Sequence, residues 1–517
     1  MIDKRPHDGL VVLVGAGPGR AGLISRTGAR WLARADCVVY DRLVNQDLLK
    51  ACPDQAELIH VGKGPRGQAA SQERINRLLI EHCRAGRTVV RLKGGDPYTF
   101  GRGGEEALAL SEAGCAFRVV PGVTAATAAA AYAGIPLTDR RWASSVTFVT
   151  GHEDPAKGKS CLDYSALAKL DTLVFYMGVG NVPDITRRLI KAGRGGRTPA
   201  AVVANASLPN QRTIVATLDT IAEAIDKADI QPPALIIVGK AATMASRLNW
   251  FERLPLFGRA ILVTRARRQG CELAEPLREL GAEVIEAPTI CIEPADSFGE
   301  MDAALRCLGK YDWLALTSVN AVGALFDRLD ELGLDARALA GVKLACIGPA
   351  TADALRRRGL RADLVPETFT SEALAEALVS AGVGAGTEAL LARADIATPQ
   401  LPDALTNAGA AVTQLSVYRT ALPEHLPPDA LTALREGQAD WITFTSASTV
   451  ENFLTLTAAA GVGTGNAKLA AIGPVTAEAL AGHDLAASVV AETQTIEGLI
   501  DAVVAAEAAR KPKGPTA

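Results

Sequence analysis

Two glycine clusters and one carboxylate are the first residues in this chain whose types and spacing point to chemistry. Val14-Gly15-Ala16-Gly17-Pro18-Gly19 follows an apolar run and leads into a helical stretch. Arg91-Leu92-Lys93-Gly94-Gly95-Asp96-Pro97 closes another apolar run, and Thr99, Arg102, Glu105 and Glu106 follow at once. Adjacent glycines let main chain approach a ligand with no Cβ in the way. A nicotinamide-dinucleotide loop would read GxGxxG. Counted from Gly15, the sixth residue is Arg20, and Pro18 removes an N–H that a pyrophosphate would use. Asp96 offers a carboxylate to a cation or a hydroxyl. A backbone-lined pocket with one acid suits a ligand that carries an ammonium, a sulfonium and ribose hydroxyls but no phosphate. S-adenosylmethionine is such a ligand.

Other reactive residue types have plain structural uses. Asp41, after Cys37-Val38-Val39-Tyr40, can cap a helix. Lys63 can be a solvated loop lysine, and Met177 can fill a core. Glu105 and Glu106 stand at a helix start and read as dipole partners, and His152 reads as a structural histidine. The nine cysteines form no CxxC, and none pairs with a histidine at metal-ligand spacing, so neither a metal site nor a disulfide framework is expected. Reduced thiols and the lack of a secretory signal point to a cytoplasmic protein. Val119–Leu137 is uncharged, but Pro121, Gly122, Gly134 and Pro136 break it, so no membrane span is expected. A formal net charge of −3 over 517 residues argues against a nucleic-acid polycation.

These residues need rigid elements to hold them. Of the chain, 48% is hydrophobic and 21% charged, enough apolar surface for several buried cores. Short β-branched runs alternate with amphipathic stretches: LVVLVGAG, CVVYD, TVVRLKGGDP, FRVVPG, SVTFVTGH, TLVFYMG, PAAVVANAS and PALIIVGK. Strand-then-helix alternation predicts α/β layers with largely parallel sheets and ligands at the carboxyl ends of strands. Leu248–Gly258 marks a seam between two such patterns, and Gly134–Asp139 marks a lesser one. Charge divides at the same place. Residues 1–250 hold 32 Lys and Arg against 23 Asp and Glu, the remainder 22 against 34.

The second half repeats itself. DWLALTSVNAVGALF at 312–326 resembles DWITFTSASTVENF at 440–453, and KLACIGPATADAL at 343–355 matches KLAAIGPVTAEAL at 468–480. A third block, from Ala260, echoes the one from Ala389. Two similar α/β units facing a shared cleft are expected. Ser318, Thr351, Ser446 and Thr476 stand where helices begin. They read either as caps or, with the free N–H groups there, as carboxylate receptors without fixed charge.

Across about residues 9–250, the blocks LVGAGPG, VVYDRLV, VGK, VVRLKGGDPYTFGRGGEE, VVPGVTAA, GIPLTDR, VTGH, TLVFYMGVG and PALIIVGK resemble the uroporphyrinogen-III C-methyltransferase family, in order. The resemblance implies a tetrapyrrole methylase fold of two α/β domains with a cleft. It also implies transfer of two methyl groups from S-adenosylmethionine to uroporphyrinogen III, giving precorrin-2. Pro18, Gly94, Gly95, Asp96, Thr99, Thr124, Ala125, Met177 and Ala206 then fall at methyl-donor contacts. Asp41 falls at the proton acceptor and Lys63 at the proton donor. The family often has glycine where Ala206 stands and an apolar residue where Thr99 stands. Arg42, Lys63, Arg66, Lys93, Arg102, Arg140 and Arg141 are the cations nearest these loops, for a substrate with eight carboxylates.

Residues 258–505 resemble the uroporphyrinogen-III synthase family, a bilobal α/β module with parallel sheets that cyclises hydroxymethylbilane without a cofactor. Tyr418 falls at its proposed acid. The expected organisation is a tail (1–8), a methyltransferase (9–250, sub-domains about 9–136 and 137–250), a linker (251–257), a synthase (258–505) and a second tail (506–517). The synthase lobes are expected at 258–292 plus 421–505 and at 293–420. The resemblance further implies a homodimer through the methyltransferase half and no metal. A dehydrogenase–chelatase module ahead of the methylase is not seen, so the product is expected to be precorrin-2. A later cobalamin-precursor methylase, or a methyltransferase joined to an inactive tetrapyrrole-binding module, is the alternative.

Overall fold

A computed structural model describes residues 9–62, 71–152, 162–265, 267–395 and 397–510. Two compact units result. One runs to Arg259 and includes Leu277–Glu283; the other comprises Ala260–Pro276 and the chain from Val284 onward.

The first unit holds two five-stranded sheets. The first contains β1 (Leu10–Gly15), β2 (Cys37–Tyr40), β3 (Glu57–His60), β4 (Thr88–Lys93) and β5 (Ala116–Val120). Their order is β3-β2-β4-β1-β5, all parallel. The inner strands β1 and β2 read as unbroken apolar runs because helices cover both faces. All six residues of β4 are buried, the charged Arg91 and Lys93 included. The edge strand β3 (ELIH) is largely exposed and carries no such run, so the sequence pattern passes over it.

The second sheet contains β6 (Val146–Thr150), β7 (Thr172–Tyr176), β8 (Pro199–Ala204), β9 (Arg212–Thr217) and β10 (Ala234–Val238), in the order β6-β7-β10-β8-β9. Here the expectation of parallel strands fails. Only β6 and β7 run parallel; β10 is antiparallel to both neighbours, and β8 is antiparallel to β9. The loop between Ala204 and Arg212 is too short for a parallel crossover, which needs a dozen or so residues. Between the sheets lies the helix Ala125–Ala133 (AATAAAAYA). Its small side chains let Ala126, Ala129 and Ala133 pack against Val174, Ala201 and Val203.

The second unit adds β11 (Ala260–Val263), β12 (Glu283–Glu286), β13 (Cys291–Pro294), β14 (Trp313–Leu316) and β15 (Lys343–Cys346). It continues with β16 (Glu388–Ala394), β17 (Ala411–Ala421), β18 (Trp441–Phe444), β19 (Lys468–Ala471) and β20 (Val489–Val490). They form two sheets, β12-β11-β18-β19-β20 and β13-β17-β16-β14-β15. The sequence repeat is visible as shared order: β12-β11-β18-β19 in one sheet corresponds to β17-β16-β14-β15 in the other. Each sheet buries its own core, around Phe444 and Phe453 in one and Leu314 and Leu325 in the other. Truncating such a leucine to alanine costs about 2–5 kcal/mol.

Ser318 and Ser446 cap their helices, accepting from the N–H groups of Ala321 and Thr449. Thr351 and Thr476 do not cap. Gly348 and Gly473 hold that position, each followed by proline, and both threonines are buried one turn further in. Among the described residues, no helix is long and apolar enough to cross a membrane.

Candidate active sites

In the first unit, the residues singled out from sequence gather at carboxyl ends of strands. Pro18 follows β1, Asp41 follows β2, Gly94 to Thr99 follow β4, Thr124 and Ala125 follow β5, Met177 follows β7 and Ala206 follows β8. Specific bonds tie these loops together. Gly17 and Gly95 exchange N–H···O bonds of 3.1 and 3.0 Å. A Cβ built on Gly122 would lie 2.3 Å from the Gly95 carbonyl oxygen and 2.8 Å from Gly15 Cα, so only glycine lets the three strand ends close up.

Asp96 organises its own loop. Its Oδ1 accepts from Tyr98 N–H at 2.9 Å and Thr99 Oγ1 at 3.2 Å, and its Oδ2 accepts from Gly122 N–H at 2.9 Å. Thr99 thus contributes its side chain as well as its backbone. Gly94 and Gly95 are not crowded in the same way. A Cβ built there would meet nothing nearer than 3.4 and 3.7 Å respectively. Glycine main chain without side chains, and one carboxylate that no cation engages among the described residues, fit a cationic sulfonium donor.

The second sheet closes the other side. Thr124 Oγ1 lies 2.6 Å from the Tyr176 hydroxyl, which also accepts from Ala126 N–H at 3.0 Å. Burial raises the Tyr176 phenol above its ordinary range, so it stays a neutral hydroxyl. Ser207 donates to the Pro18 carbonyl at 2.9 Å and accepts from Arg20 N–H at 3.1 Å, which brings Ala206 beside the first loop. Phe100, Arg102, Met177, Asn205 and Ser207 all have positive φ, between 49° and 70°. Left-handed backbone at non-glycine residues costs about 1–3 kcal/mol each and collects at functional sites. Tyr176 and Ser207 were not singled out from sequence. Their signal, a polar residue next to a predicted contact, is too common to select.

Asp41 is half-buried and does not cap a helix. Its Oδ1 accepts from Arg91 Nη2 at 2.6 Å. Lys63 lies outside the described residues, as does Arg66. Of the other cations expected to meet a polyanion, Arg42 and Arg140 are exposed. Arg102 is paired with Glu105, and Arg141 with Asp139. Lys93 departs from that expectation: it is buried against Glu106, inside the domain.

In the second unit, Tyr418 is 8% exposed, and its hydroxyl lies 3.1 Å from Ser318 Oγ. It borders two cavities. One of about 460 Å³ has a mixed wall, with Arg265, Asn320, Thr445, Ser446, Thr449 and Gln494 beside four isoleucines. The other, of about 740 Å³, is lined by Pro288, Phe298, Ala324, Val417 and Pro427, among others. Three helices begin in or next to the wall of the first, at Val319, Ala447 and Ile496. Free N–H groups at helix starts receive carboxylates without a fixed cation.

The first unit has the build of a methyl-transfer enzyme and the second that of a two-sheet α/β module, and comparison with known proteins makes both assignments specific. The tetrapyrrole (corrin/porphyrin) methylase family model matches residues 10–222, and that of uroporphyrinogen-III synthase HemD matches 271–501. The porphyrin biosynthesis protein HemD of Ruminiclostridium josui is 40% identical over 494 residues, 95% of this chain and 97% of that one. A uroporphyrinogen-III C-methyltransferase of Bacillus subtilis (strain 168) is 39% identical over 353 residues, 68% of this chain and 72% of its own. The solved uroporphyrin-III C-methyl transferase of Thermus thermophilus is 42% identical over 45% of this chain and 93% of its own, with a TM-score of 0.39. The chain belongs to this family of porphyrin-biosynthesis proteins, a tetrapyrrole methylase fused to a uroporphyrinogen-III synthase, and is a bifunctional enzyme.

Proposed function

We propose that the second unit closes hydroxymethylbilane to uroporphyrinogen III and that the first then methylates that product twice, giving precorrin-2. The observation that carries the first-unit reading is the joining of three glycine-bearing strand ends beside Asp41. S-adenosylmethionine, when bound, supplies the electrophilic methyl group. Gly94, Gly95, Thr124, Ala125, Met177, Ala206 and Pro18 would line its place, with Asp96 holding the loop. The chain's task is alignment, since holding nucleophilic carbon and methyl about 3–3.5 Å apart in line lowers the barrier most. Asp41 accepts the proton that the macrocycle must lose once the new C–C bond has made the methylated carbon quaternary. Lys63 is assigned the return of a proton on the family pattern alone. Arg42 and Arg140 are available for substrate carboxylates.

In the second unit, helix starts and hydroxyls fold the linear tetrapyrrole by its acid arms. The Tyr418 hydroxyl gives a proton to the departing hydroxyl, which leaves as water. The reading has the enzyme act in the cytoplasm, without a metal, as a homodimer through its methyltransferase half; sedimentation tests the last point.

Supplying hydroxymethylbilane with methyl-labelled S-adenosylmethionine tests the whole. Two labelled methyls on a type III macrocycle are expected. A single methyl, or no methylation of uroporphyrinogen III, sinks the methylase assignment. Type III isomer no higher than the spontaneous background sinks the synthase assignment.

A further inference from the structure

β4 is buried throughout, yet two of its six residues are cations. Arg91 and Lys93 stand two apart, so they project from the same face of the sheet. The helix Gly103–Glu112 sets a carboxylate against them. Glu106 is 0% exposed, and its Oε1 accepts from Arg91 Nε at 3.0 Å and Lys93 Nζ at 2.8 Å. Its Oε2 is buried without a hydrogen-bond partner. On the other side, Arg91 Nη2 lies 2.6 Å from Asp41 Oδ1, and Lys93 Nζ lies 4.0 Å from Asp41 Oδ2. The chain of charges thus runs Glu106, then Arg91 and Lys93, then Asp41. Asp41 is the member that reaches solvent, with its side chain 32% exposed against 0–3% for the others.

Two cations and one anion inside the domain leave one positive charge that Asp41 completes. A buried pair such as Lys93–Glu106 adds little stability over apolar residues of the same volume. Its placement behind a reacting carboxylate gives it another use. We propose that Lys93 and Glu106 are positioning residues for methyl transfer, setting with opposite signs how readily Asp41 takes up the ring proton. This rests on the reading of Asp41 as proton acceptor. Lys93 draws negative charge onto Asp41, so a captured proton is released to solvent rather than kept. Glu106 offsets one cation, so Asp41 remains basic enough to capture the proton at all. Burial, and then the neighbouring Arg91, lower the Lys93 ammonium below its ordinary range, while Glu106 and Asp41 oppose that. Among the described residues, other charged or titratable groups on the surrounding elements include Arg42 next to Asp41, Glu57 and His60 on β3, Asp96 after β4, Glu112 on the helix, and Glu105, which Arg102 engages.

The test is the pH profile of methyl transfer by the full chain, from about pH 5 to about pH 9, where the acid limb reports the base. Lys93→Met removes a cation and is expected to move that limb to higher pH. Glu106→Gln removes an anion and is expected to move it to lower pH, with a slower plateau. A charge within 4–6 Å shifts such a limb by about one pH unit or more, which applies to Lys93 at 4.0 Å; Glu106 acts through the two cations and is expected to shift it less. Lys93→Arg is expected to restore most of the wild-type profile. Shifts in the same direction, or lost rate with an unmoved limb, overturn the proposal. If Lys93→Met fails to fold, the nearly isosteric Glu106→Gln decides alone: a limb that stays or moves upward overturns it. Asp41→Asn separates the two levels. If that variant still transfers methyl groups, the acceptor reading falls. If it is inactive while the other two limbs stay put, only this inference falls.

Discussion

The two units meet polyanionic tetrapyrroles with opposite electrostatic designs. In the first, fixed charges lie within the domain: Arg91, Lys93 and Glu106 are buried and press on a single half-exposed carboxylate, Asp41. In the second, the smaller cavity beside Tyr418 is walled by hydroxyls, amides, helix starts and four isoleucines, with Arg265 its one cationic wall residue among those described. The difference follows the chemistry. Methylation must remove a proton from carbon at a chosen moment, which calls for a base under tight control. Cyclisation must shape a flexible chain that can close without help, which calls for many weak directional contacts.

Asp41→Asn breaks the comparison most sharply. Methyl transfer should fall by about 10²–10⁴-fold, the usual worth of a general base, while cyclisation by the same molecules continues unchanged; separate assays with uroporphyrinogen III and hydroxymethylbilane read the two. Next comes Gly122→Ala. Its Cβ would sit 2.3 Å from the Gly95 carbonyl oxygen and force apart the ends of β1, β4 and β5. Overpacking of this kind costs about 1–3 kcal/mol, so titration calorimetry should show S-adenosylhomocysteine binding weakened about tenfold or more. Unchanged affinity would mean that the donor binds elsewhere. Tyr418→Phe should slow formation of the type III isomer about tenfold, because the shaped cavity still shares the work. Ser318→Ala, which removes the partner 3.1 Å from that hydroxyl, should have a smaller effect in the same direction.

The smallest effect is shared by both units. Burial, with Glu57 adding to it, pushes the Cys37 thiol from its ordinary value of 9.0 to about 11. Burial likewise pushes Cys83, helped by Cys115, and Cys346 to about 12. Unfolded thiols ionise above 9.0 while the folded ones keep their protons. The stability they lend is therefore complete below pH 9 and is lost as pH climbs toward 11 and 12. Denaturant midpoints measured from neutral pH to about pH 11 should fall only beyond 9.

Much of this architecture was readable from residue patterns, for definite reasons. Most inner strands announce themselves because burial on both faces disfavours polar residues, as in LVVLVG of β1 and ALIIV of β10. The edge strands β3 and β9 (RTIVAT) face solvent in part and lose that signature. Strand direction in the second sheet depends on pairings that no local pattern encodes. The glycine loops and Asp41 stood out by type and spacing. The ion cluster behind Asp41 did not, because Lys93 read as a cation for substrate carboxylates, Arg91 only as part of its motif and Glu106 as a helix-start acid. Only the packing of the helix Gly103–Glu112 on β4 shows that each neutralises the other.

The interleaving of the last two sheets bears on how the polypeptide matures. The sheet holding β11 and β12 waits for β18, β19 and β20, whereas the sheet from β13 to β17 is drawn from one uninterrupted stretch. On a ribosome the middle lobe can therefore condense as soon as it emerges. The lobe begun before it stays open until the final hundred residues or so have been made, and a message cut short in that span would release a chain with one lobe unfinished.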